Sequence, residues 1–308
     1  MAAFRITPGV PVGVEVRRIA TDQVTRALGD LEREDRDEAV HEVRKRCKKV
    51  RALVRLVRGA DEELYRRENA AFRDVARRLS EVRDATAAVE SFDAFAAAIA
   101  DQVDTAVYGP IRAGLVAHRD DRPDQVEVRA SAARADLERA LERITAWSVP
   151  GDGAAPLRGG LERTYRRARR RMADAVELGT DEALHEWRKW ATYHRHHVRL
   201  LEASWPSVMR SHRSELRALT EHLGQDHDLA VLRSIVDGSP DAHGGAGLVG
   251  GFIGLLEHGR GQLQADARAL GARCFAERPS AFTGRVAKLW VAAGGDRGSS
   301  RLTDPPMV

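Results

Sequence analysis

His41, Arg44, Lys48, Arg51, Arg55 and Arg58 follow one another at intervals of three or four residues. On an α-helix that spacing puts them in one stripe about 25 Å long. Segment 41–58 holds eight Arg or Lys against a single acid, Glu42. Like charges one turn apart destabilise a helix by a few tenths of a kcal/mol per pair, and a face built for stability alone interleaves acids, as 30–38 does. The chemistry such a row offers is anion binding: each contact to phosphate or carboxylate is a charge-assisted hydrogen bond, bidentate where Arg supplies it. His41 falls in the first turn, where free backbone N–H groups and the helix dipole also favour an anion. The competing reading is a solvated basic face answered by acids of a neighbouring helix.

The same pattern recurs 144 residues later. Ala39-Val40-His41-Glu42-Val43-Arg44-Lys45 matches Ala183-Leu184-His185-Glu186-Trp187-Arg188-Lys189. The offset continues through Arg51/Arg195, Val54/Val198, Arg55/Arg199, Arg66/Arg210, Arg73/Arg217, Leu79/Leu223 and Asp84/Asp228, and upstream through Arg26/Arg170. Thr192 takes the place of Lys48 and interrupts the second stripe once. A register held without insertion over four helical segments reads as an internal duplication, which predicts a pseudo-twofold arrangement. Segment 158–171 adds seven arginines against one glutamate around Tyr165, with Arg163, Arg166 and Arg170 on one helix face, and these four residues join the candidate anion ligands.

Other chemistry finds less support. Two cysteines, Cys47 and Cys274, make neither a ligand set nor a disulfide framework. Seven of the eleven histidines lie between His185 and His227, and His194 and His197 are spaced to share an ion, but no acid or cysteine at helical spacing completes a metal site. Asp84 and Asp228 read as N-caps opening a fourth helix in each half, or as acids steering an arginine. There is no Walker loop, GxGxxG, nucleophile elbow or acid–base carboxylate pair, so a non-enzyme with no cofactor is expected. The basic stripe carries no aromatic residue on which bases could stack.

The elements that position these residues are helices throughout. The apolar partners of the first stripe, Val40, Val43, Cys47, Val50, Val54 and Val57, keep the same rhythm one residue earlier and mark a core face. Helices are predicted at about 14–33, 37–58, 61–80, 84–107, 123–147, 158–178, 181–203, 206–223, 228–236, 248–275 and 280–292. Gly179-Thr180 marks a stop and an N-cap, Pro123, Pro206 and Pro279 suit first turns, and the Gly-rich 238–251 is expected to be mobile. The expected architecture is all-α: one unit over 12–292 made of two repeats, about 12–147 and 157–292, joined by a linker at 148–156 and followed by a disordered tail from 293. Net charge is only +4 among 31% charged residues, and arginine outnumbers lysine 45 to 5, so the placement of charge matters more than its sum. With no signal-like N-terminus and no apolar run able to span a bilayer, a cytoplasmic protein without membrane contact is expected.

His-Glu-x-Arg-Lys at 41–45 and 185–189, with Leu79-x-x-x-Arg83-Asp84 and its counterpart Leu223-x-x-x-His227-Asp228, resembles the conserved histidine α-helical domain, or CHAD, family over about residues 12–292. His227 replaces the usual Arg there. The resemblance implies two helical bundles about a pseudo-twofold axis, a central cavity lined by basic residues of both, and binding of inorganic polyphosphate, in some members at polyphosphate granules. Carried over, the ligand residues are His41, Arg44, Lys45, Lys48, Arg51, Arg55, His185, Arg188, Lys189, Arg195 and Arg199, with Arg66, Arg73, Arg210 and Arg217 as further candidates. Nothing resembles the triphosphate-hydrolysing domain fused to some members, which suits a stand-alone binder. A nucleic-acid-binding protein is the second reading and a metal-dependent phosphohydrolase the third.

Overall fold

A computed structural model describes residues 4–120 and 126–295 of the 308. Among the described residues there are helices and no strands. The helices are α1 (Val12–Asp30), α2 (Arg36–Leu56), α3 (Glu62–Arg78), α4 (Ser80–Ile99), α5 (Gly109–Asp120), α6 (Val126–Thr145), α7 (Ala155–Leu178), α8 (Asp181–Leu200), α9 (Pro206–Gly238), α10 (Ala246–Cys274) and α11 (Pro279–Trp290). Pro123 and the tail from 296 lie outside the described residues.

Local chemistry sets the starts. The Asp35 carboxylate accepts from the Glu38 N–H at 3.0 Å and Asp61 from Leu64 N–H at 2.8 Å. Thr180 Oγ1 does the same for Ala183 N–H at 3.3 Å, directly after Gly179 ends α7 at φ 62°. Such caps satisfy donors a helix end leaves open. Once capped, α2 buries its apolar stripe: Val40, Val43, Cys47, Val50, Val54 and Val57 are all within the core. Burying each is worth about 1.5–3 kcal/mol, and with that face fixed, the basic stripe one residue on is turned about 100° away.

Four boundaries differ from expectation. Residues 105–108 and α5 form helical structure where sequence periodicity marks only the end of α4 and a gap. The Gly-rich 238–251 carries a short helical turn at Pro240–His243 and the start of α10; buried His243 donates from Nδ1 to Ser239 O (2.8 Å) and Val249 enters the core. The connection before α7 ends at 154. Most important, α9 runs unbroken from 206 to 238, so Asp228 is not an N-cap but a mid-helix residue. Leu216, Leu219, Leu223, Leu229, Leu232 and Val236 are buried along it and keep it continuous across Gly224.

Helix α1 packs on α2 and α6, and α7 on α8 and α11; α2 packs on α3, and α8 on α9. Helix α2 also crosses both α7 and α8. The start of α7 meets the end of α2 at Gly160, where a Cβ would lie 2.0 Å from Leu56 O, and Gly59 meets Gly159 backbone to backbone. A large core joins α1, α2, α3, α6, α7, α8 and α11 with the first part of α9. A second, smaller one joins α4, α5, α10 and the later part of α9 around Phe92, Phe95 and Phe252.

Candidate polyanion site

Helices α2 and α8 cross within the large core, fastened where His197 donates from Nε2 to Ala52 O at 2.9 Å. That crossing sets the two basic stripes side by side. Lys48 of α2 lies within electrostatic reach of Arg44 and Arg51 on its own helix and of Arg188 and Arg195 on α8. Surrounding protein first, then these four guanidiniums, push its ammonium down to about 8. Lys49 is also brought down to about 8, by burial and then by Arg46 and Arg199, with Glu42 opposing. Burial lowers Arg51, Arg195 and Arg199 from the usual arginine range as well. Burial is the larger cause of both depressions; the guanidiniums that add to it create a positive local potential, the condition for anion capture.

The cluster extends along α8 and onto α9. Arg195 feels Arg199, Arg213 and Arg217, with Glu221 opposing. His185 lies against His227 with ring centroids 4.6 Å apart and planes tilted by 44°, beside Arg188, Lys189 and Lys48. Arg188 Nη1 sits 3.9 Å from Asp228, so the acid steers an arginine. Arg44 donates to Ala76 O at 2.9 Å and Arg51 to Asn69 Oδ1 at 3.2 Å, contacts that aim both side chains.

The structure brings Arg44, Lys48, Arg51, His185, Arg188, Arg195 and Arg217 to one region, with Arg199 at its end. His41 is half-buried in the first turns of α2. Lys45 and Lys189 are engaged by Glu42 and Glu186 one turn back. Arg66 pairs with Glu62 and Arg73 with Asp74, both exposed on α3, while Arg210 is exposed on α9. Arg163, Arg166 and Arg170 lie exposed on α7, with Arg166 paired to Glu162. Side chains of Arg83 and Asp84 lie outside the described residues.

Two assignments require correction. Tyr165 is 0% exposed, stacked on Phe282 at 4.5 Å, and donates its hydroxyl to Glu277 O; it is a core residue with no face for a ligand. Arg55 is 7% exposed and lies over Tyr193 (4.2 Å), Trp190 (4.8 Å) and Tyr65 (5.1 Å), donating to Asn69. Its guanidinium is a cation–π strut inside the molecule. The histidines of α8 divide similarly: His197 bonds Ala52 O, whereas His194 Nε2 faces His212 Nε2 at 3.5 Å among Tyr165, Phe275 and Phe282.

Lys49 and Arg213 are the residues sequence reasoning passes over, whereas His227, a departure from the motif in sequence, is set against His185 only by the fold. Lys49 lies beside the first stripe rather than on it, and becomes relevant because α8 carries Arg199 up to it. Arg213 has no cation at the equivalent place in the first half, Asn69. No curated protein matches the chain. The CHAD domain model does match, over residues 18–237, which takes in both stripes and the crossing that pairs them, and the chain belongs to that family.

Proposed function

We infer that this protein binds inorganic polyphosphate along the face where α2 and α8 meet, as a non-catalytic receptor, tether or granule component of the cytoplasm. The observation that carries the reading is Lys48 surrounded by Arg44, Arg51, Arg188 and Arg195, cations drawn from both stripes and answered by few acids. Between His185 and Arg199 alone the row is about 21 Å long, a length matched by a polymer of repeating charge better than by a small anion. Family membership is consistent with that ligand.

The halves are best understood as copies of one helical unit about a pseudo-twofold axis. Adding 144 to α1 gives 156–174, within α7; α2 gives 180–200, against α8; α3 and α4 give 206–222 and 224–243, spanned by α9 and the turn after it. The shared cavity expected between the copies is the space above the α2–α8 crossing.

Nucleic acid is the second reading. Single-stranded bases stack on exposed aromatic faces, and the aromatics next to the stripe, Tyr65, Trp190 and Tyr193, are buried under Arg55; a duplex needs only phosphate contacts. Competition titration with long-chain polyphosphate, duplex DNA and RNA across salt decides between them. Polyphosphate is expected to bind most tightly and to weaken steeply with salt; tighter binding of DNA overturns the assignment.

A further inference from the structure

The second half differs from the first at one corner of the site. Leu79-x-x-x-Arg83-Asp84 carries a permanent cation where Leu223-x-x-x-His227-Asp228 carries an imidazole. His227 is half-buried on α9 with its ring 4.6 Å from that of His185 on α8. We propose that His227 and His185 form a proton-accepting end of the polyanion site, neutral in the free protein and charged by proton uptake when a polyanion docks, so that acidification tightens binding. This rests on the reading of the α2–α8 face as a polyanion site.

The surroundings of the pair explain both states. From α2 comes Lys48, from α8 Arg188, Lys189 and Glu186, from α9 Asp228, and from the N-terminus of α8 and from α10 Asp181 and Arg260. The carboxylates are already engaged. Glu186 is held by Lys189 and Asp228 lies on Arg188. Asp181 is shared by Arg233 and Arg260, and Arg260, 3% exposed at its side chain, also grips Asp226 at 3.1 Å. The two rings therefore meet cations with few uncommitted acids. Burial, then Arg188 and His185, hold His227 down to about 4 against the pull of Asp181. Burial, then Arg188 and Lys189, lower His185. A docked polyphosphate reverses the local potential. Each imidazole then gains one proton from solvent at its free ring nitrogen, forming an N–H donor to a phosphate oxygen; no other bond changes.

The sign follows from linkage. The free-state value is depressed and the bound state binds more protons, so affinity rises as pH falls through the bound-state value. Long-chain polyphosphate is titrated into the full-length protein at pH 7.5 and 5.5 at fixed ionic strength, and calorimetry at pH 6 in two buffers of different ionisation enthalpy reads proton transfer. Wild type is expected to bind roughly tenfold more tightly at pH 5.5, with net proton uptake. His227→Arg, which restores the residue of the first half, should bind more tightly at pH 7.5 and show a smaller pH gain. A His185→Gln, His227→Gln double variant should lose the gain between pH 7.5 and 5.5 and the proton uptake, whatever its affinity at pH 7.5. Circular dichroism confirms that each variant is folded at both pH values. Binding with no pH response in wild type, or the full response retained in the double variant, overturns this inference alone. No polyphosphate binding at either pH overturns the site reading beneath it.

Discussion

Lys48 shows how one residue acquires a function from its neighbours. In isolation it is a lysine on a basic stripe; burial first, then Arg44 and Arg51 on its own helix with Arg188 and Arg195 opposite, bring its ammonium down to about 8. A bound polyanion restores it towards the ordinary value, so the contribution of Lys48 to affinity is full below pH 8 and declines as pH rises above it. Titration from pH 8 to 10 should show that decline, and Lys48→Arg, permanently charged, should flatten it. Tyr165→Phe tests the opposite assignment. Loss of the hydroxyl leaves Glu277 O without that donor and should cost about 1–3 kcal/mol in urea denaturation, with polyphosphate affinity unchanged. Arg55 could be taken for a ligand residue because its place in the stripe is periodic; only its burial under three aromatic rings removes it.

The α2 and α8 helices carry the symmetry argument. Arg44→Glu with Arg51→Glu on α2, and Arg188→Glu with Arg195→Glu on α8, should each weaken polyphosphate binding by at least about a hundredfold at low salt, since a hydrogen bond to a charged group is worth about 1.5–3 kcal/mol. Comparable losses in direct titrations support one shared face; loss confined to one pair makes the site one-sided. Holding these helices together depends on close approach. Gly160→Ala drives a Cβ into Leu56 O and should destabilise by about 1–3 kcal/mol or more, measured as a lower denaturation midpoint. At this scale the repeat in the sequence located α1, α2, α3, α7 and α8 well. It failed at α9, where a single 33-residue helix stands in for two, because the boundary in the first half was read into the second.

The whole molecule carries a cost of burying histidines. His197 is held down to about 3 and His212 to about 4, both chiefly by burial, and His194 and His196 lie well below the ordinary value for the same reason. The unfolded chain binds protons near pH 6.5 while the fold refuses them, so stability is fully present above pH 6.5 and is lost as pH falls towards 4. Urea midpoints measured from pH 7.5 to 4 should decline across that window, and His212→Gln should lessen the decline. No helix among the described residues is long and apolar enough to cross a membrane.

From sequence alone came the helical class, the capped start of α8, the buried valine face of α2, the 144-residue offset and the two basic stripes, because helix periodicity and capping are local and repeat in the chain itself. Tertiary structure alone decided which stripe residues face one another. Lys48 meets Arg188 and Arg195, and Lys49 meets Arg199, only because α2 crosses α8 at the His197–Ala52 contact. It likewise sank Arg55 and Tyr165 into the interior and set His227 against His185. Helical spacing gives a side chain's direction around its own axis; the second helix that turns that direction into a core, a strut or a site is many residues away, and packing chooses it.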